Sequence, residues 1–337
     1  MPPLSDGAPI DTTVHLSVEQ TVRRSLVHKR SLENVLLTEV RACSDDRFLC
    51  AGRIPTAHRF FNDAGRTPHQ DILFYTELGR QASLAVSHAF LNVSADDVFV
   101  FEGSQAAVTD AAWKTPCHSA PDLVLVEVQI RDVARRRNNA VSRVVAEHRM
   151  SIGEEQVFQG TGAWTMQPAA LFHRLRRMSP GRTTPARSDS PHLDVTRTAG
   201  RPRPDGAGNV VISRPESIDN GIAYVSSLIV DYRHPYFFDH PCDHIPGMLL
   251  LEGCAQMAVA AFSESTAIPP GTSGVGAYDV NFAQFVECGV PTALSARVHA
   301  AGPDAGGVLA STVQIEISQQ NVVAGTATMC IALPTCV

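Results

Sequence analysis

Two pairs of side chains have the types and spacing for acid–base chemistry. Glu77 and Gln81 lie four residues apart in DILFYTELGRQASLAVSHAF (71–90), and Glu252 and Gln256 repeat the pair in PGMLLLEGCAQMAVAAF (246–262). Four-residue spacing puts each pair on one face of a helix. A carboxylate among apolar neighbours such as Leu251 and Cys254 is partly desolvated and suits a general base. Ahead of the second pair, Pro246 fits a helix start because its missing N–H is not needed there, and Gly247 has no Cβ to block approach to its amide. Amides at a helix N-terminus, at the positive end of the dipole, suit a carbonyl oxygen that gains negative charge during reaction. Arg80 follows Glu77 by three residues, as an ion-pair partner or as an anion clamp. His240 and His244 precede Glu252 by 12 and 8 residues, which places them near the same helix start. The run DHPCDH (239–244) holds metal-ligand residue types, but no second cluster completes a ligand set, and no metal or other cofactor is expected. Cys254 has no adjacent base to make it a nucleophile.

Elements that position these residues come twice. Glu77 to Glu252 and Gln81 to Gln256 share one offset of 175 residues. His58, in HRFF, precedes its glutamate by 19 residues, and His234, in HPYFFDH, precedes its own by 18. Both read as packed, hydrogen-bonded histidines at strand ends. Strands are expected at 31–42, 46–54, 97–103, 122–134, 140–152 and 156–167, where β-branched and apolar residues alternate, with RRRNN (135–139) as a hairpin turn. The second half repeats the scheme from NVVISR (209–214) to VVAGTATMCIAL (322–333). One long helix against several consecutive antiparallel strands disfavours a doubly wound α/β fold. The expectation is an α+β protein, a tandem double hotdog in which each half wraps an antiparallel sheet around one central helix.

Composition narrows the setting. The chain has 337 residues, 44% of them hydrophobic and 18% charged, which excludes disorder along its length. Its net charge of −6 argues against nucleic-acid binding, which needs a dense cationic face. No apolar run is long enough to span a membrane, and residues 1–16 lack the basic and apolar regions of a signal peptide, so a cytoplasmic protein is expected. Eight cysteines without CxxC spacing fit small buried hydrophobes in such a compartment. The basic residues are almost all arginine; only Lys29 and Lys114 are lysines. Eight arginines and five prolines between 174 and 204 read as a linker or surface loop. The organisation expected is a tail (1–26), a first domain (27–170), the Arg/Pro-rich linker (171–207) and a second domain (208–337), in a monomer or a homodimer.

The stretch HPCDHIPGMLLLEGCAQ is similar to the helix-start motif of the hotdog β-hydroxyacyl-carrier-protein dehydratases. Over the whole chain, VHKRSLENVLLTEV (27–40), HRFF, DILFYTELGRQ and YRHPYFFDHPCDHIPGMLLLE together resemble the AfsA family of A-factor, or γ-butyrolactone, biosynthesis. That resemblance covers both halves and implies an acyltransferase. Its reaction would move a β-ketoacyl group from an acyl carrier protein thioester to the hydroxyl of dihydroxyacetone phosphate. It implies Glu77 or Glu252 as base, with Arg80 in the catalytic set. Gly247, Gln81, Gln256, His240 and His244 would be substrate-binding. Where the family pattern has arginine in the second helix, this chain has Ala255, which removes one candidate phosphate clamp. Two rival chemistries share the scaffold: a dehydratase or hydratase pairing Glu252 with His240 or a nearby histidine, and a non-catalytic acyl-binding protein.

Overall fold

The computed structural model describes residues 16–62, 70–114, 123–178, 207–218, 221–240, 242–303 and 309–333. The expected tail up to residue 15 and the linker from 179 to 206 lie outside the described residues. Contacts divide the chain into two compact units, the second made up of Ala169–Val337 with the short segments Asn62–Thr67 and Phe101–Ser104.

In the first unit, β1 (Leu37–Ala42) and β2 (Arg47–Arg53) form the expected hairpin, with Val40 opposite Cys50. Helix α1 (Ile72–Ala89) follows, capped by the Asp71 side chain, which accepts from the Leu73 amide. Strand β3 (Asp97–Val108) and the short helix α2 (Asp110–Lys114) lead to β4 (Leu123–Arg135), β5 (Val141–Ile152) and β6 (Glu155–Pro168). The antiparallel order is β1-β2-β4-β5-β6-β3. At the β4–β5 turn, Asn139 takes a positive φ of 66°, which asparagine tolerates well. Fifteen of the eighteen residues of α1 are buried, including the aromatic side chains of Phe74 and Tyr75. The helix packs on β1, β2, β4, β5 and β6.

The second unit opens with α3 (Ala169–Met178), so residues 171–178, expected from composition to begin the linker, are helical. Phe172 and Arg176, four apart, are buried on one face of that helix. Two short strands come next, β7 (Glu216–Ser217) and β8 (Ala223–Ser227). The expected strand at 209–214 is reduced to one bridge, Ile212 with Leu228, plus the bonds Ser213 N–H to Ser227 O and Ile229 N–H to Val211 O. Helix α4 (Gly247–Thr266) precedes β9 (Gly274–Phe282), β10 (Thr292–Pro303), β11 (Leu309–Gln319) and β12 (Val322–Ala332). Their antiparallel order is β9-β12-β11-β10-β8-β7, and α4 packs on β8 through β12. The large antiparallel sheets and few helices match the expected class.

One packing detail links the copies. Leu37 faces Gly52 across β1 and β2, as Ile212 faces Leu228 in the second unit. In the first unit the glycine is on the strand: a Cβ on Gly52 would lie 2.4 Å from Leu78 of α1. In the second, the glycine is on the helix: a Cβ on Gly253, equivalent to Leu78, would lie 2.7 Å from Leu228. Large and small residues have exchanged sides of one helix–sheet contact, which conserves volume.

Candidate active site

The duplication reaches the hydrogen-bond network. In the first unit, the Gln81 side-chain NH2 donates to Glu77 Oε1 at 2.8 Å and to the Asn34 carbonyl at 2.8 Å. Its Oε1 accepts from the Leu36 and Leu37 amides at 2.9 and 3.4 Å. His58 Nδ1 accepts from the amides of Phe60 and Phe61, which leaves the proton on Nε2 for donation to Asn34 Oδ1 at 3.0 Å. The second unit repeats the set. Gln256 donates to Glu252 Oε1 at 2.6 Å and to the Asn209 carbonyl at 2.7 Å, and accepts from the Val211 amide at 3.0 Å. His234 accepts from Tyr236 and Phe237 and donates to Asn209 Oδ1 at 2.9 Å. Glu77, Gln81, Glu252 and Gln256 are all fully buried. Each glutamine ties its glutamate to the chain that enters the sheet, so its amide serves the scaffold. The two histidines are the packed, hydrogen-bonded groups that their positions suggested.

Two cations are bonded to the first of these glutamates. Arg80 grips Glu77 with two bonds, Nε to Oε2 at 2.8 Å and Nη2 to Oε1 at 2.9 Å. Lys29 Nζ adds a second cation 3.0 Å from Oε1, and its side chain is only 5% exposed. Burial alone would raise the Glu77 pKa. The charges of Arg80 and Lys29, with hydrogen bonds from Arg80 and Gln81, outweigh it and hold the carboxyl well below the usual range. The offset that relates the copies puts Ala255 at the position of Arg80 and Pro204 at that of Lys29. Ala255 is buried, and Pro204 lies outside the described residues.

At the start of α4, Pro246 is the N-cap, and its carbonyl accepts from the Leu249 and Leu250 amides at 2.9 and 3.2 Å. The amides of Gly247 and Met248 precede these first helical bonds. Beside this turn lies a cavity of about 150 Å³ lined by Val211, Ile229, Asp231, His234, Phe237 and Leu249. His244 donates from Nδ1 to Asp243 Oδ1 at 2.7 Å, and its ring meets Phe285 edge-on at 4.8 Å. The His240 carbonyl accepts from the Cys242 thiol at 3.5 Å. Among the described residues, no group of three His, Cys, Asp or Glu side chains is placed to hold a metal ion.

Burial pushes the Cys254 thiol up to about 12, which fits an inert packing residue. The sequence reading missed another buried pair, Ser83 Oγ and His148 Nε2, 2.6 Å apart. Burial pushes His148 down to about 4, so the ring is neutral at physiological pH and packs against Gly79 of α1. It also missed Lys29, Asn34, Asn209 and Arg176. Lys29 carried the one signal available, as one of two lysines in a chain rich in arginine.

Comparison with known proteins follows the same duplication. The profile of the A-factor biosynthesis hotdog domain matches twice, over residues 10–166 and 200–334, and the chain belongs to this AfsA family. A relative from Streptomyces virginiae, named 2-oxo-3-(phosphooxy)propyl 3-oxoalkanoate synthase, is 28% identical over 71% of this chain and 76% of its own length. Another protein of that name, from Streptomyces coelicolor, is 28% identical over 86% of this chain and 87% of its own. Among solved structures, the 12:0-ACP thioesterase from Umbellularia californica aligns with a TM-score of 0.47 at 11% identity, over 85% of this chain and 93% of that one. The dehydratase-cyclase domain of ambruticin biosynthesis aligns with a TM-score of 0.43 at 15% identity, over 88% and 94%. No helix among the described residues is long and apolar enough to cross a membrane.

Proposed function

We propose that this protein is an acyltransferase that joins a β-ketoacyl group, delivered as an acyl carrier protein thioester, to the hydroxyl of dihydroxyacetone phosphate. The observation that carries this reading is the family match across both halves, with relatives named for that ester product. The fold in this reading is a tandem double hotdog, with one domain before and one after the Arg/Pro-rich segment. The protein acts in the cytoplasm, as a monomer or a homodimer, without a cofactor.

Glu252 is the base in this proposal. Glu77 is a weak one, because taking a proton would forfeit two ion pairs that hold it ionised. Glu77 and Arg80 therefore serve the fold of the first unit, while Gln81 and Gln256 position their glutamates. Glu252 sits on the same helix as the Pro246-Gly247 start. The hydroxyl oxygen attacks the thioester carbonyl carbon as Glu252 takes its proton. The carbonyl oxygen becomes an oxyanion facing the Gly247 and Met248 amides. Collapse of the intermediate breaks the C–S bond, and the departing carrier thiolate takes the proton back from Glu252. His240 and His244 flank the substrate at the helix start.

Incubation of the purified protein with a β-ketoacyl carrier protein and dihydroxyacetone phosphate, followed by mass spectrometry, tests this. The phosphorylated ester or its butenolide is expected. Dehydration of a 3-hydroxyacyl carrier protein in place of ester formation would move the protein to the dehydratase class. Thioester binding with no product would leave an acyl-binding protein.

A further inference from the structure

One buried and heavily partnered cation of the second unit comes from a helix that composition had assigned to the linker. Arg176 of α3 is 3% exposed. Its guanidinium donates to both carboxylate oxygens of Glu287, at 2.6 and 2.8 Å. It also donates to Asp243 Oδ2 at 3.1 Å and to the Asp243 carbonyl at 3.2 Å, and lies 4.3 Å over the Phe285 ring. The residues so gathered lead into α4. His244 bridges to Glu287, and the Ile245 amide donates to the Val286 carbonyl at 2.8 Å. Pro246 and the first turn of α4 follow directly.

A buried cation with two carboxylates is costly to assemble, and a well-packed apolar contact would hold the helix as well. What an apolar contact would not supply is a fixed carboxylate. Asp243 Oδ2 faces Arg176 while Oδ1 accepts from His244 Nδ1 at 2.7 Å. The carboxylate therefore cannot rotate away from the imidazole without losing the guanidinium. A carboxylate only accepts, so a neutral His244 held this way carries its proton on Nδ1 and keeps the Nε2 lone pair. The His244 side chain is 28% exposed, so that lone pair belongs to a group a substrate can reach.

We infer that Arg176 is a positioning residue: by gripping Asp243 and Glu287 it fixes His244 as the Nδ1-protonated tautomer beside the start of α4, with Nε2 as the hydrogen-bond acceptor that holds the hydroxyl of the acceptor substrate as it docks, before that proton turns to Glu252. The substrate half of this inference rests on the synthase reading above; the tautomer half does not. Other charged groups on the elements packed here are Glu287 and Arg176 themselves, with Asp239 and His240 in the preceding loop. Gln319 secures Glu287 by accepting from its amide at 2.8 Å and donating to its carbonyl at 2.9 Å.

The test uses the full chain labelled with 15N-histidine, the His244 signal being identified by its loss in His244→Gln. The wild type is expected to show Nδ1–H. Arg176→Lys should keep that preference in large part, and Arg176→Met should lose it. Asp243→Asn, which changes few contacts by size, should lose it even if Arg176→Met fails to fold. In the ester assay, Asp243→Asn and Arg176→Met should raise KM for dihydroxyacetone phosphate about tenfold, as for one lost hydrogen bond, with KM for the thioester unchanged. An Nε2–H tautomer in the wild type would overturn the inference. So would variants that leave the tautomer in place, or that shift it without moving the acceptor KM. Should the wild type form no ester, the synthase reading falls, while the nitrogen spectra still decide whether Arg176 and Asp243 set His244.

Discussion

The two halves hold one hydrogen-bond network with different residues at two positions that flank its glutamate. In each, a histidine orients an asparagine, the asparagine backbone receives a glutamine, and the glutamine holds a glutamate. In the first half, Arg80 and Lys29 are bonded to that glutamate. In the second, the equivalent positions are Ala255 and Pro204. After duplication, hydrogen bonds that hold a helix to its sheet are hard to change singly, because each loss leaves a buried amide or carbonyl unsatisfied. Charges on the outer side of the glutamate are freer to change. In the function proposed above, Glu77 serves stability and Glu252 serves the reaction.

Breaking the first network at its charge should have the largest effect on stability. Glu77→Gln leaves Lys29 and Arg80 facing a neutral amide, at a cost of about 3–5 kcal/mol at pH 7 in chemical denaturation. The sign of its pH dependence follows from the lowered pKa. Ionised Glu77 contributes stability that is fully present above the unfolded-state value of about 4.3 and is lost as the pH falls toward the folded-state value. The gap between wild type and Glu77→Gln should thus narrow as the pH drops below about 4; a constant gap from pH 7 to 3 would remove the ion pair from the account.

Replacing the glutamines sharpens the part the halves share. Gln81→Leu strands the Leu36 and Leu37 amides and the Asn34 carbonyl, for about 2–3 kcal/mol. Gln256→Leu strands the Val211 amide and the Asn209 carbonyl, for about 2 kcal/mol. Equal losses by calorimetry within about 1 kcal/mol would support equivalence, whereas a neutral Gln256→Leu would separate the two networks.

The smallest effect probes the exchanged packing. Gly253→Ala drives a methyl against Leu228 and should cost about 1–2 kcal/mol, part of which Leu228→Val restores in the double variant. Strict additivity of the two changes in urea unfolding would show that the contact is not the one described.

Much of this was legible in the sequence because it depends on period and repetition. Glutamate and glutamine at one offset marked both helices, and alternation of apolar or β-branched with polar residues marked the long strands β4, β5, β6 and β10 to β12. The short strands were less visible: 209–214 has strand composition, yet only Ile212 makes a bridge, since its neighbours bond irregularly to 227–229. The partners of the glutamates were hidden for another reason. Lys29 lies 48 residues before Glu77, and a long-range ion pair leaves no periodic trace. Arg176 was one arginine among eight, and only the fold of α3 shows which of them is buried. Asn34 and Asn209 act partly through their backbone carbonyls, which side-chain identity does not report.

The assignment of reaction to the second half is tested most directly by single-turnover ester formation, with Glu252→Gln and Glu77→Gln measured side by side at a temperature where both are folded. Loss of a general base predicts a rate lower by about 10²–10⁴-fold for Glu252→Gln, and a rate within about threefold of wild type for Glu77→Gln. The reverse ranking, or equal rates in the two variants, would contradict the division of labour between the halves.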